Sequence, residues 1–123
     1  MTPLKLNQLD GIWFATATGA TSPQALREWA DVLANLAPGP LGEPQLVAID
    51  CGAMTGSLEM PDVFEVGCYF AATLRGKARV AIYQIPASWV NQRFGEDVVV
   101  NRGLNLKIFT DKAGAVAWLL GSK

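Results

Sequence analysis

The sequence contains no histidine among its 123 residues, and this absence removes several classes of chemistry. Without histidine there is no Ser–His or Cys–His nucleophile pair, no imidazole general base and no metal site with a histidine ligand. The remaining residues form no recognisable catalytic constellation. We therefore expect a protein that is not an enzyme and that uses no metal or other cofactor.

Cysteine is also scarce, with only Cys51 and Cys68. Two cysteines placed in this way fit a reducing compartment, and we expect two buried, unreactive thiols more than a disulfide or a redox pair. No apolar run approaches the ~20 residues that span a bilayer, and residues 4–9 are too short and too polar for a signal peptide. These features predict a cytoplasmic protein without membrane insertion.

Charged residues make up only 17% of the chain, and the net charge is −1. Residues 1–60 contain six acidic and two basic residues, whereas residues 61–123 contain five acidic and eight basic residues. The basic residues are scattered and no aromatic residues alternate with them, so we expect no binding of nucleic acid. Ordinary solvated surfaces explain the asymmetry better than an electrostatic docking surface.

Apolar residues are abundant, at 50% of the chain. The length suits one domain, residues 1–123, which buries roughly two thirds of the surface that its unfolded chain exposes. A core this rich for its size suggests that some apolar surface is buried against a second copy. We therefore expect a homo-oligomer, most simply a dimer.

The spacing of the apolar residues predicts strands and helices in the order ββαβαβαβα. We expect strands over residues 3–7, 11–18, 46–49, 79–85 and 105–109. The first two would form a hairpin, with Asp10-Gly11 as its turn signal. We expect helices over residues 23–37, where Ser22 is the N-cap and Pro23 the first helical residue, and over residues 61–74. A last helix would be capped by Thr110 or Asp111 and end at Leu120. Residues 87–101 fit one helix or two less clearly, because Gly95 and three consecutive valines oppose the helical spacing. The alternation predicts an α/β protein with a mixed, mostly parallel sheet of about five strands and four helices.

Three stretches carry a resemblance to a known family. ARVAIYQIPASW (residues 78–89) is similar to a strand of that family that runs to a Trp at the next helix. LKIFTDKAGAVAWLLG (residues 106–121) is similar to its closing strand and Ala-rich helix, and IDCGAMTG (residues 49–56) to its Asp-bearing strand end. Together they resemble the SpoIIAA-like family of small bacterial proteins, a branch of the STAS and SEC14-type fold. The resemblance covers most of residues 5–121 and implies a β–α superhelical fold.

The resemblance implies two sorts of function. STAS proteins that antagonise anti-sigma factors bind a regulatory kinase and are switched by phosphorylation of a serine after the strand aspartate, whereas SEC14-type domains enclose lipids. Asp50 matches the Asp-Ser-Ser-Gly motif of the antagonists, but Cys51 and Gly52 occupy its serine positions and Ala53 replaces its glycine. The phosphoacceptor is missing. We expect a non-enzymatic interaction module that regulates or scaffolds a protein partner; the alternative is a carrier of a small apolar or lipid-like ligand.

The candidate binding residues surround the predicted strand end at Asp50. They are Asp50, Cys51, Gly52, Met54, Thr55, Gly56, Ser57 and Trp89. We expect residues 51–60 to form a loop at the carboxyl edge of the sheet, and Trp89 to follow a parallel strand at the same edge. Met54, Thr55 and Trp89 would then line one shallow cleft, although packing of Trp89 under a loop is the simpler interpretation.

The loop lacks the residues of better-known sites. Residues 52–56 have the G-x-x-x-G spacing but not the Lys and Ser/Thr that complete a P-loop, and no sequence signal brings two carboxylates together for acid–base work. We expect Asp50 to accept hydrogen bonds from backbone N–H groups, and Thr55 and Ser57 to satisfy loop backbone groups rather than accept phosphate. Met54 would be an exposed, adaptable apolar contact, so that Met54→Asp would abolish binding and leave stability nearly unchanged.

Overall fold

The computed structural model describes residues 4–36, 42–87, 89 and 92–121. Within this part of the chain, five strands and four helices follow one another in the predicted order. They are β1 (Leu4–Leu9), β2 (Ile12–Ala20), α1 (Pro23–Ala34), β3 (Gln45–Thr55), α2 (Met60–Leu74), β4 (Ala78–Tyr83), α3 (Gln92–Asn101), β5 (Leu106–Phe109) and α4 (Lys112–Leu119). The predicted α/β class is confirmed.

The strands form one mixed sheet in the order β1-β2-β3-β4-β5. β1 and β2 are antiparallel and are joined by the two-residue turn Asp10-Gly11, in which both residues have positive φ angles of 54° and 80°. Such a turn matches the right-handed twist of the flanking strands, and Asp-Gly is a favoured sequence for it. The remaining neighbours are parallel because helices connect them.

The sheet has two unequal faces. α1, α2 and α3 cover one face in sequence order, and their apolar residues form the main core with alternate residues of the central strands, such as Val47, Ile49 and Val80. α4 packs on the other face over β3, β4 and β5, where a smaller cluster contains Ala48 and Ala81. Because β3 and β4 are covered on both faces, each contains a continuous apolar run, at residues 46–49 and 80–83.

The predicted helix starts are confirmed by their caps. The Ser22 hydroxyl accepts a hydrogen bond from the backbone N–H of Ala25 at 3.1 Å, and Pro23 occupies the first turn of α1. The Asp111 carboxylate accepts one from the backbone N–H of Gly114 at 2.9 Å and so begins α4. Each cap satisfies a backbone donor that the first helical turn leaves without a partner. The predicted strand start at residue 3 lies outside the described residues. The predicted helix end at residue 37 is wrong, because α1 ends at Ala34 with Asn35 as its C-cap.

β3 departs most from the prediction, because it continues five residues beyond Asp50. The register with β2 shifts between the pairs Thr16–Asp50 and Thr18–Ala53, so β3 contains one extra residue at this point. Beyond the bulge, β3 still pairs with β2 as far as Thr55, while β4 stops opposite Asp50. The prediction of a loop over residues 51–60 is therefore wrong for its first half, because the length of β2 extends the pairing.

The segment that the sequence left ambiguous contains a single helix, α3, in its described part. Val98 and Val99 of this helix are buried against α2, where they approach Gly67. Burial of the valine side chains compensates for their weak helix preference. Within the described residues, no helix has both the length and the apolar character needed to cross a membrane.

Candidate functional site

The Asp50 side chain turns back onto its own strand. Its carboxylate oxygen Oδ1 accepts a hydrogen bond from the backbone N–H of Gly52 at 2.8 Å. This interaction confirms the predicted role of Asp50 as an acceptor for backbone groups. A Cβ atom at position 52 would lie 2.6 Å from the Oε1 atom of the exposed Gln84 side chain, which would have to move to make room for it.

Met54 is buried, and its predicted exposure is wrong. Only 4% of its surface is accessible, and it belongs to the main core beneath the helices. Side chains alternate between the two faces of a strand, so a strand without a bulge would place Met54 on the face opposite Cys51. The extra residue of the bulge reverses this alternation, and Met54 shares the helix-covered face with Cys51.

The two thiols are free, and neither forms a reactive pair. Cys51 is fully buried, and burial together with the nearby charge of Asp50 raises the pKa of its thiol to about 12. Cys68 is only half-buried on α2, so the expectation of two buried thiols is confirmed for Cys51 and wrong for Cys68. Since a thiolate is the nucleophilic form, the prediction of an unreactive Cys51 agrees with its environment.

Thr55 is the last residue of β3 and is hydrogen-bonded to Thr21, two residues before the start of α1. Its carbonyl oxygen accepts hydrogen bonds from the Thr21 backbone N–H at 2.8 Å and from the Thr21 hydroxyl at 2.7 Å. Its own hydroxyl lies 3.5 Å from the Gly19 carbonyl oxygen, a backbone partner of the kind expected from the sequence. Gly56 and Ser57 follow in the exposed connection to α2.

Trp89 lies in the connection between β4 and α3 and contacts Thr21; we call the hydrogen-bonded residues Trp89, Thr21 and Thr55 the Trp89–Thr21–Thr55 junction. Its indole Nε1–H donates to the Thr21 hydroxyl oxygen at 2.8 Å, and the residue is half-buried. Trp89 and Thr55 are therefore joined through Thr21, at the carboxyl edge where the sequence placed both of them. The structure does not bring Met54 into this group, because the bulge directs its side chain into the core.

Behind Trp89 lies an almost entirely apolar cavity of about 110 Å³ that is partly open to solvent. Its floor is formed by Ile82 of β4 and by two residues of β5, Leu106 and Ile108. All three helices of the covered face contribute to its walls. They contribute Leu26 and Trp29 from α1, Val63, Val66 and Phe70 from α2, and Gly95, Glu96 and Val99 from α3.

Few polar groups line this cavity. The Thr21 hydroxyl is engaged with Trp89 and Thr55, and a Glu96 carboxylate oxygen accepts a hydrogen bond from the Ile108 backbone N–H at 2.7 Å. Trp29 is 1% exposed, and its indole nitrogen is buried without a hydrogen-bond partner. The helical spacing of Leu26, Trp29 and Leu33 in the sequence predicts that Trp29 lies in the core, which its burial confirms. No sequence signal reveals that its N–H lacks an acceptor.

A second, larger cavity of about 430 Å³ adjoins the first at the ends of β4 and β5. It shares Glu96 and Ile108 with the apolar cavity and is otherwise lined by more polar residues, including Gln84 and Arg93. Glu96 therefore lines both cavities. No sequence pattern predicts this position of Glu96, because the residue lies in the segment whose helical spacing is ambiguous. Within the described residues, no three Cys, Asp or Glu side chains are grouped to hold a metal ion.

No protein-family model matches the chain, and no curated protein matches it. A function must therefore be argued from the geometry of the site itself.

Proposed function

We propose that this chain is a non-catalytic binding module, of the SpoIIAA-like type, that holds a small apolar molecule in the cavity beneath α1, α2 and α3. The observation that carries the proposal is the cavity itself, which interrupts the main core next to the Trp89–Thr21–Thr55 junction. Protein interiors are normally close-packed, with few voids larger than a water molecule. A cavity of this size with apolar walls is suited to an apolar occupant.

The volume limits the class of ligand. Drug-sized ligands occupy pockets of roughly 300–1,000 Å³, whereas an engineered apolar cavity of ~150 Å³ binds benzene. The volume of this cavity, about 110 Å³, suits a molecule of about the size of benzene. It also suits one apolar end of a larger molecule whose remainder lies in solvent. A complete lipid does not fit within it.

The alternation of strands and helices around a mostly parallel sheet supports the SpoIIAA-like assignment, since the resemblance implies a β–α superhelical fold. Among the two functions expected from that resemblance, the cavity favours the carrier of a small apolar ligand. The expected contact surface at Met54 gives no support to the interaction module, because this side chain is buried.

The proposal is tested by thermal unfolding with and without benzene. A ligand that binds only the folded protein at ten times its Kd stabilises it by about 1.4 kcal/mol, so Tm should rise with benzene concentration. Val66→Phe places a larger side chain in the cavity wall and should remove the rise. Val100→Phe is the matched control, because Val100 is 49% exposed and lies outside the lining. No rise for the unmodified chain, or an equal rise for Val66→Phe, would refute the proposal.

A second candidate function, contact with a protein partner or a second copy, is favoured by a different observation. Met60 and Phe64 lie one turn apart on α2 and are 49% and 45% exposed. The Arg102 guanidinium carbon lies 5.4 Å from the centroid of the Phe64 ring. Large exposed apolar side chains next to a cation are typical of interaction surfaces.

This second function predicts self-association or partner binding through α2. In sedimentation velocity, the unmodified chain should form a dimer that Phe64→Lys dissociates. Leu9→Lys is the control, because Leu9 is 55% exposed on β1, away from α2. A monomer at high micromolar concentration, or equal effects of both substitutions, would count against α2 as the contact surface.

A further inference from the structure

We infer that the molecule bound by this chain is an α-amino acid with an apolar side chain. Its side chain enters the apolar cavity, and its ammonium and carboxylate groups lie in the second cavity, beside Glu96 and Arg93 of the lining. The inference rests on the proposed function, because it names the ligand class of the same apolar cavity. It follows from the contact between the two cavities and from the pair of opposite charges in the second one.

The two cavities adjoin at Glu96 and Ile108, which line both of them. The apolar cavity, of about 110 Å³, suits a group of about the size of benzene, such as the side chain of phenylalanine. The second cavity, of about 430 Å³, is large enough for an ammonium and a carboxylate group. A molecule of amino-acid size can therefore contact both cavities across their shared lining.

The second cavity lies where an α/β sheet commonly binds ligands. Gln84 directly follows β4 and Thr110 directly follows β5, so the cavity is at the carboxyl ends of two parallel strands. Gln84 has a φ angle of 57°, in the left-handed region that side chains other than glycine rarely adopt. Residues held in such conformations cluster at ligand sites. Position and backbone conformation thus both favour a ligand here.

The lining of the second cavity contains one charge of each sign. Among its described residues, Arg93 and Glu96 are the charged ones. They lie three residues apart on α3 and are therefore neighbours on the helix surface. Within the described part of the chain, no ion pair joins them, and the exposed Arg93 side chain forms no hydrogen bond. A positive and a negative group are thus available side by side.

Glu96 keeps one carboxylate oxygen for a ligand. Its Oε2 atom accepts the hydrogen bond from the Ile108 backbone N–H at 2.7 Å, and the residue is half-buried. Among the described residues, no group donates to its Oε1 atom, and this atom is not one of the buried side-chain atoms that lack a partner. Oε1 is therefore accessible, and a ligand ammonium can pair with it while the bond to Ile108 is kept.

The pair of charges selects the class of ligand. An amine alone would pair with Glu96 but be repelled by Arg93, and a carboxylate alone would pair with Arg93 but be repelled by Glu96. An α-amino acid carries both groups on one carbon atom and pairs with both residues through charge-assisted hydrogen bonds. The same carbon carries the side chain, which then extends towards the apolar cavity.

Four probes that share a phenyl ring test the inference: L-phenylalanine, 2-phenylethylamine, 3-phenylpropanoate and benzene. Their dissociation constants are measured at pH 7 by ¹⁵N–¹H NMR titration. L-phenylalanine should bind at least about threefold more tightly than each probe with a single charge, the value of one partly exposed ion pair. Glycine, which has the two charged groups without the ring, should not bind at the same concentrations.

Two substitutions should produce a crossed pattern of affinities. Glu96→Gln removes the negative charge and keeps an amide oxygen for the Ile108 N–H. It should weaken L-phenylalanine and 2-phenylethylamine about three- to tenfold, without weakening 3-phenylpropanoate. Arg93→Gln should weaken L-phenylalanine and 3-phenylpropanoate by a similar factor, without weakening 2-phenylethylamine. A merely structural role of either residue would weaken all the probes together.

The matched controls are Asp97→Asn and Lys77→Gln. Asp97 is the exposed neighbour of Glu96 on α3, and Lys77 is exposed before β4, at the opposite end of that strand from Gln84. Neither residue lines a cavity, so neither substitution should change any of the affinities. Benzene should bind the unmodified chain and all four variants equally. If Glu96→Gln does not fold, Arg93→Gln, at an exposed position, decides the question alone.

The outcomes separate the inference from the proposed function. If benzene binds but L-phenylalanine binds no more tightly than the two probes with a single charge, the apolar cavity is a ligand site and the inferred class is wrong. Equal weakening of all the probes by Arg93→Gln or Glu96→Gln would likewise overturn the inference. If none of the phenyl probes binds, the proposed function fails and the inference fails with it.

Discussion

Asp50 and Met54 lie four residues apart on β3 and differ in what surrounds them. Asp50 is partly exposed and bonds to the Gly52 backbone N–H, whereas Met54 is 4% exposed and packs beneath the helices. The bulge between them decides this difference, since it sets which face each later side chain occupies. Stability should therefore respond very differently to substitution at neighbouring positions of this strand.

The first prediction concerns Met54→Asp. This change places an unpaired carboxylate in the core and should lower the free energy of unfolding by about 3 kcal/mol or more. The control Ala53→Asp, on the exposed neighbouring residue, should cost ~1 kcal/mol or less. Asp50→Ala should cost about 1 kcal/mol through its lost hydrogen bond to Gly52. Urea denaturation measures all three, and equal values for the two Asp variants would contradict the burial of Met54.

The second residue-scale prediction separates the two cysteines. Because burial and the charge of Asp50 raise the pKa of the Cys51 thiol to about 12, almost none of it is thiolate at pH 8. Iodoacetamide at pH 8 should therefore modify Cys68 in the folded protein and leave Cys51 unmodified until the chain unfolds. Peptide mass spectrometry identifies the alkylated residue. Rapid labelling of Cys51 in the folded state would show that it is accessible and reactive.

At the scale of the elements, α2 and α3 pack closely because Gly67 has no side chain. A Cβ atom at this position would lie 2.8 Å from the Val98 Cγ1 atom. This approach also explains why α3 is a helix despite its consecutive valines, because the glycine gives Val98 room to be buried. The absence of a side chain at Gly67 of α2 therefore allows Val98 of α3 to be buried.

Gly67→Ala tests this contact. Alanine favours a helix over glycine by up to about 1 kcal/mol, but overpacking a core costs about 1–3 kcal/mol, so the net effect should be destabilising by about 1 kcal/mol. In a Val98→Ala background the clash is absent, and Gly67→Ala should then stabilise the protein. Thermal unfolding of the four chains of this cycle measures the reversal of sign. Destabilisation in both backgrounds would show that Val98 is not what excludes a side chain from position 67.

At the scale of the whole molecule, the core should make folding sensitive to alkaline pH. Burial raises the pKa of Cys51 from about 9 to about 12, and burial together with the nearby charges of Asp50 and Cys51 raises the pKa of Tyr83. The folded state holds these protons more tightly than the unfolded chain does. Their contribution to stability is therefore complete below about pH 9 and is lost as the pH rises towards 12.

We expect the free energy of unfolding to fall by about 1.4 kcal/mol per pH unit for each such group that is ionised only in the unfolded chain. Between pH 9.5 and 11, Cys51→Ala should reduce the slope, since the thiol that resists ionisation is gone. Cys68→Ala is the control and should retain the slope of the unmodified chain. Denaturant titrations at each pH measure the difference, and identical slopes for both variants would contradict the burial of an un-ionised Cys51.

Local patterns in the sequence determined most of the fold. Asp10-Gly11 specified the hairpin turn, Ser22-Pro23 and Asp111 specified helix starts, and continuous apolar runs specified the buried parallel strands. These features were readable because each depends on a few consecutive residues and their backbone preferences. The same kind of local argument correctly assigned Asp50 to a backbone hydrogen bond and Trp29 to the core.

Only the tertiary structure decided where β3 ends, on which face Met54 lies and what surrounds Trp29. β3 continues because β2 offers it a pairing partner, and the bulge that reverses its faces arises from the register between the two strands. The cavity forms from residues of three helices and two strands that are distant in sequence. Its shape depends on how side chains from all these elements pack together, and no local pattern of residues encodes that arrangement.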